Sequence, residues 1–141
     1  MQSDQIFLVA VPGLEASLAA EALALGFRDV RAVPGGVVCS GDLAEAARAN
    51  VMLRGAVRVL LRVAEFRAMH LAQLDKRARK FPWSEVLRAD VPVRVETTTN
   101  KKSKIYHAGA AKQRVETAIT ETLGAPPGDD GVRLLVRIED N

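Results

Sequence analysis

Apolar spacing switches between a period of two and a period near 3.6 along the first 66 residues, and the order of those switches limits the fold more than any single motif does. Ile6-Phe7-Leu8-Val9-Ala10-Val11 is apolar on both alternating faces and stops at Pro12-Gly13, as an inner strand buried on two sides would be. Leu14, Leu18, Ala22 and Leu25 recur at helical spacing up to Gly26, which stands where a left-handed cap is needed. Val30 to Val33 and Val37 to Ser40 flank Pro34-Gly35-Gly36, whose glycines permit a tight turn between antiparallel strands. Asp42 is a good N-cap for a second helix running to about Arg54, with Leu43, Ala46, Ala47, Asn50 and Val51 on one face. Val57, Val59, Leu61 and Val63 alternate with Arg58, Leu60 and Arg62, which predicts a strand with one fully apolar face.

This order, βαββαβ, is the split pattern of a ferredoxin-like sandwich, in which two helices cover one face of a four-stranded antiparallel sheet. It predicts such a domain over residues 1–66. Residues 67–141 begin with His70 to Lys80, a basic helix broken by Pro82, and a short turn through Ser84-Glu85-Val86-Leu87. Val91, Val93, Val95 and Thr97 share one strand face, and Ala108, Ala111, Val115, Ala118, Ile119 and Thr122 form the buried stripe of a long helix stopped by Gly124 and Pro126-Pro127. Val132, Leu134, Val136 and Ile138 mark a last strand. Strand, crossover helix and strand make a parallel βαβ unit, which ordinarily has more cover than the remaining elements supply. The fold class is therefore α+β, and the chain is expected to be the N-terminal piece of a longer protein that continues near Asn141.

With 48% apolar and 26% charged residues, the composition is that of a soluble globular protein. The segment Gln5 to Pro12 is too short for a secretory signal and no apolar run reaches membrane-spanning length, so a cytoplasmic protein with no membrane partner is expected. The one cysteine, Cys39, permits no internal disulfide and reads as a small core residue. The net charge of +3 hides an asymmetry: residues 67–115 hold 12 Lys and Arg against 4 Asp and Glu, while residues 1–66 sum to −1 and residues 116–141 to −4. A basic block between neutral or acidic ends suggests a localised anionic partner.

Combinations that carry catalysis are absent. His70 and His107 have no Cys or His neighbours at ligand spacing, and neither Gly35-Gly36 nor Gly128-Asp129-Asp130-Gly131 has the strand, spaced glycines and helix of a nucleotide-binding loop. Glu15, Glu21 and Glu45 lie off the apolar stripes, where carboxylates are normally solvated. Two classes survive: a nucleic-acid-binding module, and a ferredoxin-like domain that binds a small ligand or mediates association with no RNA role. The basic block favours the first.

Within that block, the stretch from Asn100 to His107 joins a strand end to a helix start and holds Lys101, Lys102 and Lys104. Unpaired N–H groups at a helix start favour phosphate, and nearby lysines strengthen that field. The three lysines are expected to contact phosphates, Ser103 to cap the following helix, and Tyr106 and His107 to stack on an unpaired base or ribose. Tyr106 packing into the core is nearly as good a reading. Lys112 and Arg114 border the apolar stripe of the same helix and either widen the contact or shield the core with their stems. Arg79 and Lys80 are secondary candidates, because cations ending a helix also complement its dipole. Trp83 beside Pro82 reads as a hydrophobic anchor.

Leu14-Glu15-Ala16 after Pro12-Gly13, Gly35-Gly36-Val37, the run from Ala47 to Arg54, Phe81-Pro82-Trp83, and Lys102-Ser103-Lys104-Ile105-Tyr106-His107 together resemble the N-terminal half of THUMP-containing RNA methyltransferases. The resemblance is closest to the group of large-subunit ribosomal RNA guanine-N2 methyltransferases and their tRNA-modifying relatives, and it spans nearly the whole chain. It implies a ferredoxin-like segment followed by a THUMP domain over residues 67–141, the two binding structured rRNA or tRNA for a covalently linked C-terminal domain that uses S-adenosylmethionine. The closing Arg137-Ile138-Glu139-Asp140-Asn141 resembles a position before the last THUMP strand, so that domain is expected to be incomplete. No glycine-rich cofactor loop and no Asn-Pro-Pro-Tyr or Asp-Pro-Pro-Tyr motif is present. No catalytic residue, cofactor or metal is therefore assigned to this chain.

Overall fold

A computed structural model describes residues 4–100, 102–105 and 107–139. Two compact units divide the chain, Met1–Glu65 and Phe66–Asn141. The first contains β1 (Gln5–Val9), α1 (Glu15–Ala24), β2 (Arg28–Val33), β3 (Gly36–Ser40), α2 (Leu43–Met52) and β4 (Arg58–Arg62). Its strands lie in the order β2-β3-β1-β4, every neighbour antiparallel. This is the ferredoxin-like arrangement that the element order predicts.

The core lies between the sheet and the two helices. Ile6 and Leu8 from β1, Val37 and Cys39 from β3, Leu18 and Ala22 from α1, and Ala46 and Ala49 from α2 are buried in it, with Val59 and Leu61 of β4 packed alongside. β1 is central but not buried on two sides: Ile6 and Leu8 are fully covered, whereas Gln5, Phe7 and Val9 on the other face are half-buried. Right-handed crossovers place both helices on one face, which leaves the other without a helical layer.

The inward face of α2 also differs from the expected one. Leu43 and Val51 are 72% and 82% exposed, and Ala47 and Asn50 are exposed too, while Ala46 and Ala49 are buried. Small side chains let a helix lie closer to a sheet than leucine and valine would, so the alanine face goes in. The Asp42 carboxylate accepts the Glu45 N–H at 3.1 Å, as an N-cap should. Arg48 then fixes the rotation, donating to the Leu25 carbonyl at 2.8 Å and lying 3.9 Å from the centre of the Phe27 ring, with Glu45 as its salt-bridge partner at 2.9 Å.

The helical carboxylates are not merely solvated. Glu15 accepts the N–H groups of Gly13 and Gly35, at 2.9 and 3.3 Å, and Glu21 accepts those of Arg54 and Gly55, at 3.0 Å each. Loop amides without a strand partner need such an acceptor. A hydrogen bond from its own backbone N–H, opposed by partial burial and helped by those of Gly35 and Gly13, holds the Glu15 carboxyl below the usual range. Burial pushes the Cys39 thiol up, consistent with an inert core residue.

The second unit contains α3 (Leu71–Lys80), one 3-10 turn (Trp83–Glu85), β5 (Val93–Thr99), α4 (Ala108–Leu123) and β6 (Val132–Ile138). β5 and β6 pair in parallel from Val93↔Val132 to Thr99↔Ile138. Ala111, Val115, Ala118 and Ile119 of α4 are buried, whereas Ala108 is half-buried and Thr122, expected in the same stripe, is exposed at the last turn; Gly124 ends the helix at φ 89°, as its position predicts. The Trp83 indole N–H donates to the Ala78 carbonyl at 2.7 Å, and its ring meets Phe81 edge-on at 4.6 Å.

Candidate nucleic-acid interface

Because β5 and β6 are parallel with α4 between them, the second unit brings both strand ends and the start of α4 to one side, the side on which open α/β sheets bind ligands. The loop from β5 to α4 is built on that side by its own polar groups. The Asn100 N–H donates to the Ile138 carbonyl at 3.0 Å, tying the loop to the end of β6. The Asn100 side-chain oxygen accepts the Lys102 N–H, and its carbonyl accepts the Ser103 N–H, both at 3.0 Å. The Ser103 hydroxyl oxygen accepts the Ile105 N–H at 3.3 Å.

Alternation follows from this turn. Ser103 and Ile105 are buried at 9% and 4% exposure, whereas Lys102 and Lys104 are exposed. Neither lysine has an ion-pair partner among the described residues. Lys101 and Tyr106 lie outside the described residues. Ser103 does not cap α4, because the helix starts later, at Ala108, with His107 in the N-cap position. His107 is exposed, its side chain is not the acceptor of a capping hydrogen bond, and no acidic residue occupies the first turn of α4, a helix start whose N–H groups carry partial positive charge.

The remaining candidates are placed differently. Arg79 is held by Asp75 at 3.0 Å and by Glu121, and these two carboxylates, Glu121 first, raise its pKa. The pairing sets the end of α3 beside the end of α4. From Ala108 to Glu121 the helix climbs about 20 Å, so Arg79 and its neighbour Lys80 stand far from the lysine loop. Lys112 pairs loosely with Glu116 at 3.8 Å, and Arg114 is exposed on α4 with no ion pair among the described residues. Lys76 and Arg77 share the exposure of Lys80 on α3, a basic surface that residue-by-residue reading passes over although the Lys76-Arg77 pair signals it.

Two hollows among the described residues do not suit an apolar small molecule. A groove of about 580 Å3 in the first unit is lined by charged groups including Asp4, Arg28, Asp42, Glu45 and Arg48. In the second unit, the small hollow beside Val93, Val95 and Ile119 has no room for a water molecule.

Comparison with known proteins gives concordant results. Residues 5–60 match the family model for the RlmL ferredoxin-like domain. Over 117 residues, 83% of this chain, the sequence is 34% identical to a ribosomal RNA large subunit methyltransferase K/L from Syntrophotalea carbinolica, of which it spans 16%. Among solved structures, a predicted N6-adenine-specific DNA methylase from Listeria monocytogenes superposes with a TM-score of 0.82 at 30% identity, covering 98% of this chain and 38% of that one. TrmN from Thermus thermophilus shares the fold at a TM-score of 0.67 and 22% identity, over 96% of this chain and 42% of that one.

Proposed function

We propose, from the match of residues 5–60 to the RlmL ferredoxin-like domain and the 34% identity to a large-subunit ribosomal RNA methyltransferase K/L, that the chain is the RNA-presenting part of a larger methyltransferase. In this reading the second unit is a THUMP domain, and the two units hold structured rRNA or tRNA for a C-terminal domain that methylates guanine N2 with S-adenosylmethionine in the cytoplasm.

The observation that carries the proposal is the placement of Lys102 and Lys104. Both are exposed and without ion pairs among the described residues, at a loop anchored by buried Ser103 and Ile105 and leading into the start of α4, whose first turn carries no acidic residue. Two cations and a helix start suit the phosphate backbone, which supplies affinity more than sequence discrimination. The internally paired Arg79 is assigned to structure. Lys101, Tyr106 and His107 extend the same contact, and Asn100 and Ser103 shape it. Lys80, Lys112 and Arg114 are its outlying members. The charged lining of the groove in the first unit favours a polar or ionic partner over an apolar small molecule.

Anisotropy titrations with a structured RNA and a DNA duplex of equal length, at several salt concentrations, test the reading. RNA binding is expected to weaken as salt rises, with a log–log slope shallower by about 2 in the Lys101/Lys102/Lys104→Ala variant, and to change little in Arg79→Ala. Equal affinity of wild type and triple variant refutes the assignment, and equal affinity for DNA refutes the RNA preference.

A further inference from the structure

We propose that the helix-free face of the first unit's sheet is a second RNA surface, which stacks an unpaired base on Phe7 and holds flanking phosphates with Arg31, Arg58 and Arg62. This rests on RNA being the partner but concerns a different unit and a different form of RNA from the lysine loop.

Strand register assembles the surface. Arg31 pairs with Val38, Val38 with Phe7, and Phe7 with Leu60, so these four form one row across β2, β3, β1 and β4. Ile6 and Leu8 point into the core, hence Phe7 points the other way. Arg58 and Arg62 stand two positions either side of Leu60 and on its face, about 13 Å apart along β4. Phe7, Val38 and Leu60 are half-buried and all three arginines are exposed.

Two features suit unpaired nucleic acid. The Phe7 ring is held in place: its tip lies against Gly36, where an added Cβ would come within 2.9 Å of Cζ. A fixed aromatic ring amid a four-stranded sheet stacks on any base and loses little freedom in doing so. Charge is the second. Arg31, Arg58 and Arg62 are three of the six Lys and Arg residues of the first unit, and the one acidic residue in its strands, Asp29 of β2, is engaged by the Ser40 hydroxyl at 2.8 Å. Glu65 lies 3.6 Å from Arg62. A loose, exposed pair such as Arg62–Glu65 gives way readily to phosphate. An apolar protein partner would offer these arginines no counter-charge beyond the Glu65 beside Arg62.

The test uses the full chain with an unpaired 12-nucleotide RNA of mixed sequence containing 5-iodouridine, and the duplex of the same sequence. Photo-crosslinking followed by peptide mapping is expected to mark the segment containing Phe7. Phe7→Leu should weaken binding of the unpaired RNA about tenfold and leave the duplex unaffected. Arg31→Gln/Arg58→Gln should reduce the salt slope for the unpaired RNA by about 1.4. Val38→Phe, which adds a ring beside Phe7, should tighten binding and guards against a Phe7 variant that fails to fold. Crosslinks confined to residues 100–107, with unchanged affinities in all three variants, overturn this surface and leave the lysine loop standing. No binding of either RNA by the wild type overturns both. Self-association that the arginine variant abolishes, with RNA binding unaltered, makes the face a protein interface and also overturns the inference.

Discussion

Glu15 shows how far one side chain can reach into a fold from a position that looks merely solvated. Its carboxylate gathers the Gly13 and Gly35 N–H groups from two separate turns, and its own backbone N–H contributes the largest share of its lowered pKa. A carboxyl with a lowered pKa adds stability that is present above the ordinary carboxylate range and is lost as pH falls through its folded value. Denaturant titrations between pH 6 and about 3 should therefore show a smaller acid-induced loss in Glu15→Gln than in wild type, and parallel curves would assign the effect elsewhere. Asp42 acts by ordinary capping. Asp42→Ala should cost about 1 kcal/mol in urea unfolding, because the Glu45 N–H then loses its acceptor. The role of Asp42 was readable from its place before an apolar run. The role of Glu15 was not, since its second donor lies twenty positions along the chain and meets it only through the β1–β3 pairing.

At the scale of elements, two glycines separate sequence logic from packing. Gly124 is legible: it follows the last periodic residue of α4 and adopts φ 89°, and nothing would obstruct a side chain there. Gly124→Ala should cost about 1 kcal/mol through backbone strain alone. Gly36 has an ordinary φ, but a Cβ there would sit 2.1 Å from the Leu8 carbonyl oxygen. Gly36→Ala should be far more damaging, with thermal unfolding of the first unit shifted down by well over the Gly124→Ala effect, since β3 must move away from β1. A mild phenotype would mean that the hairpin tolerates displacement. Helix α2 teaches a related lesson. Leu43, Ala47 and Val51 satisfy helical periodicity as well as Ala46 and Ala49 do, and only contact with the sheet decides which stripe is covered.

Across the whole molecule, each unit gathers basic charge of its own. Lys102 and Lys104 crown one side of the second unit, Arg79 and Lys80 stand about 20 Å along α4 from it, and Arg31, Arg58 and Arg62 belong to the first unit. If loop and sheet face each engage their own stretch of one RNA, losses from Lys102→Ala/Lys104→Ala and Arg31→Gln/Arg58→Gln should add in log Kd when combined, as independent sites do. Strong non-additivity in anisotropy titrations would mean that both variants disturb one shared contact. The order of elements, the hairpin at Pro34-Gly35, the Asp42 cap, the Gly124 stop and the buried stripe of α4 were determined by the sequence itself, because each depends on residues within a few positions of one another. Which face of β1 and α2 is buried, the pairing that joins Arg79 to Glu121, and the row that sets Phe7 among arginines were decided only by tertiary structure. Those outcomes depend on groups far apart in the chain, whose meeting is governed by crossover handedness, strand register and the closeness with which small side chains let layers approach.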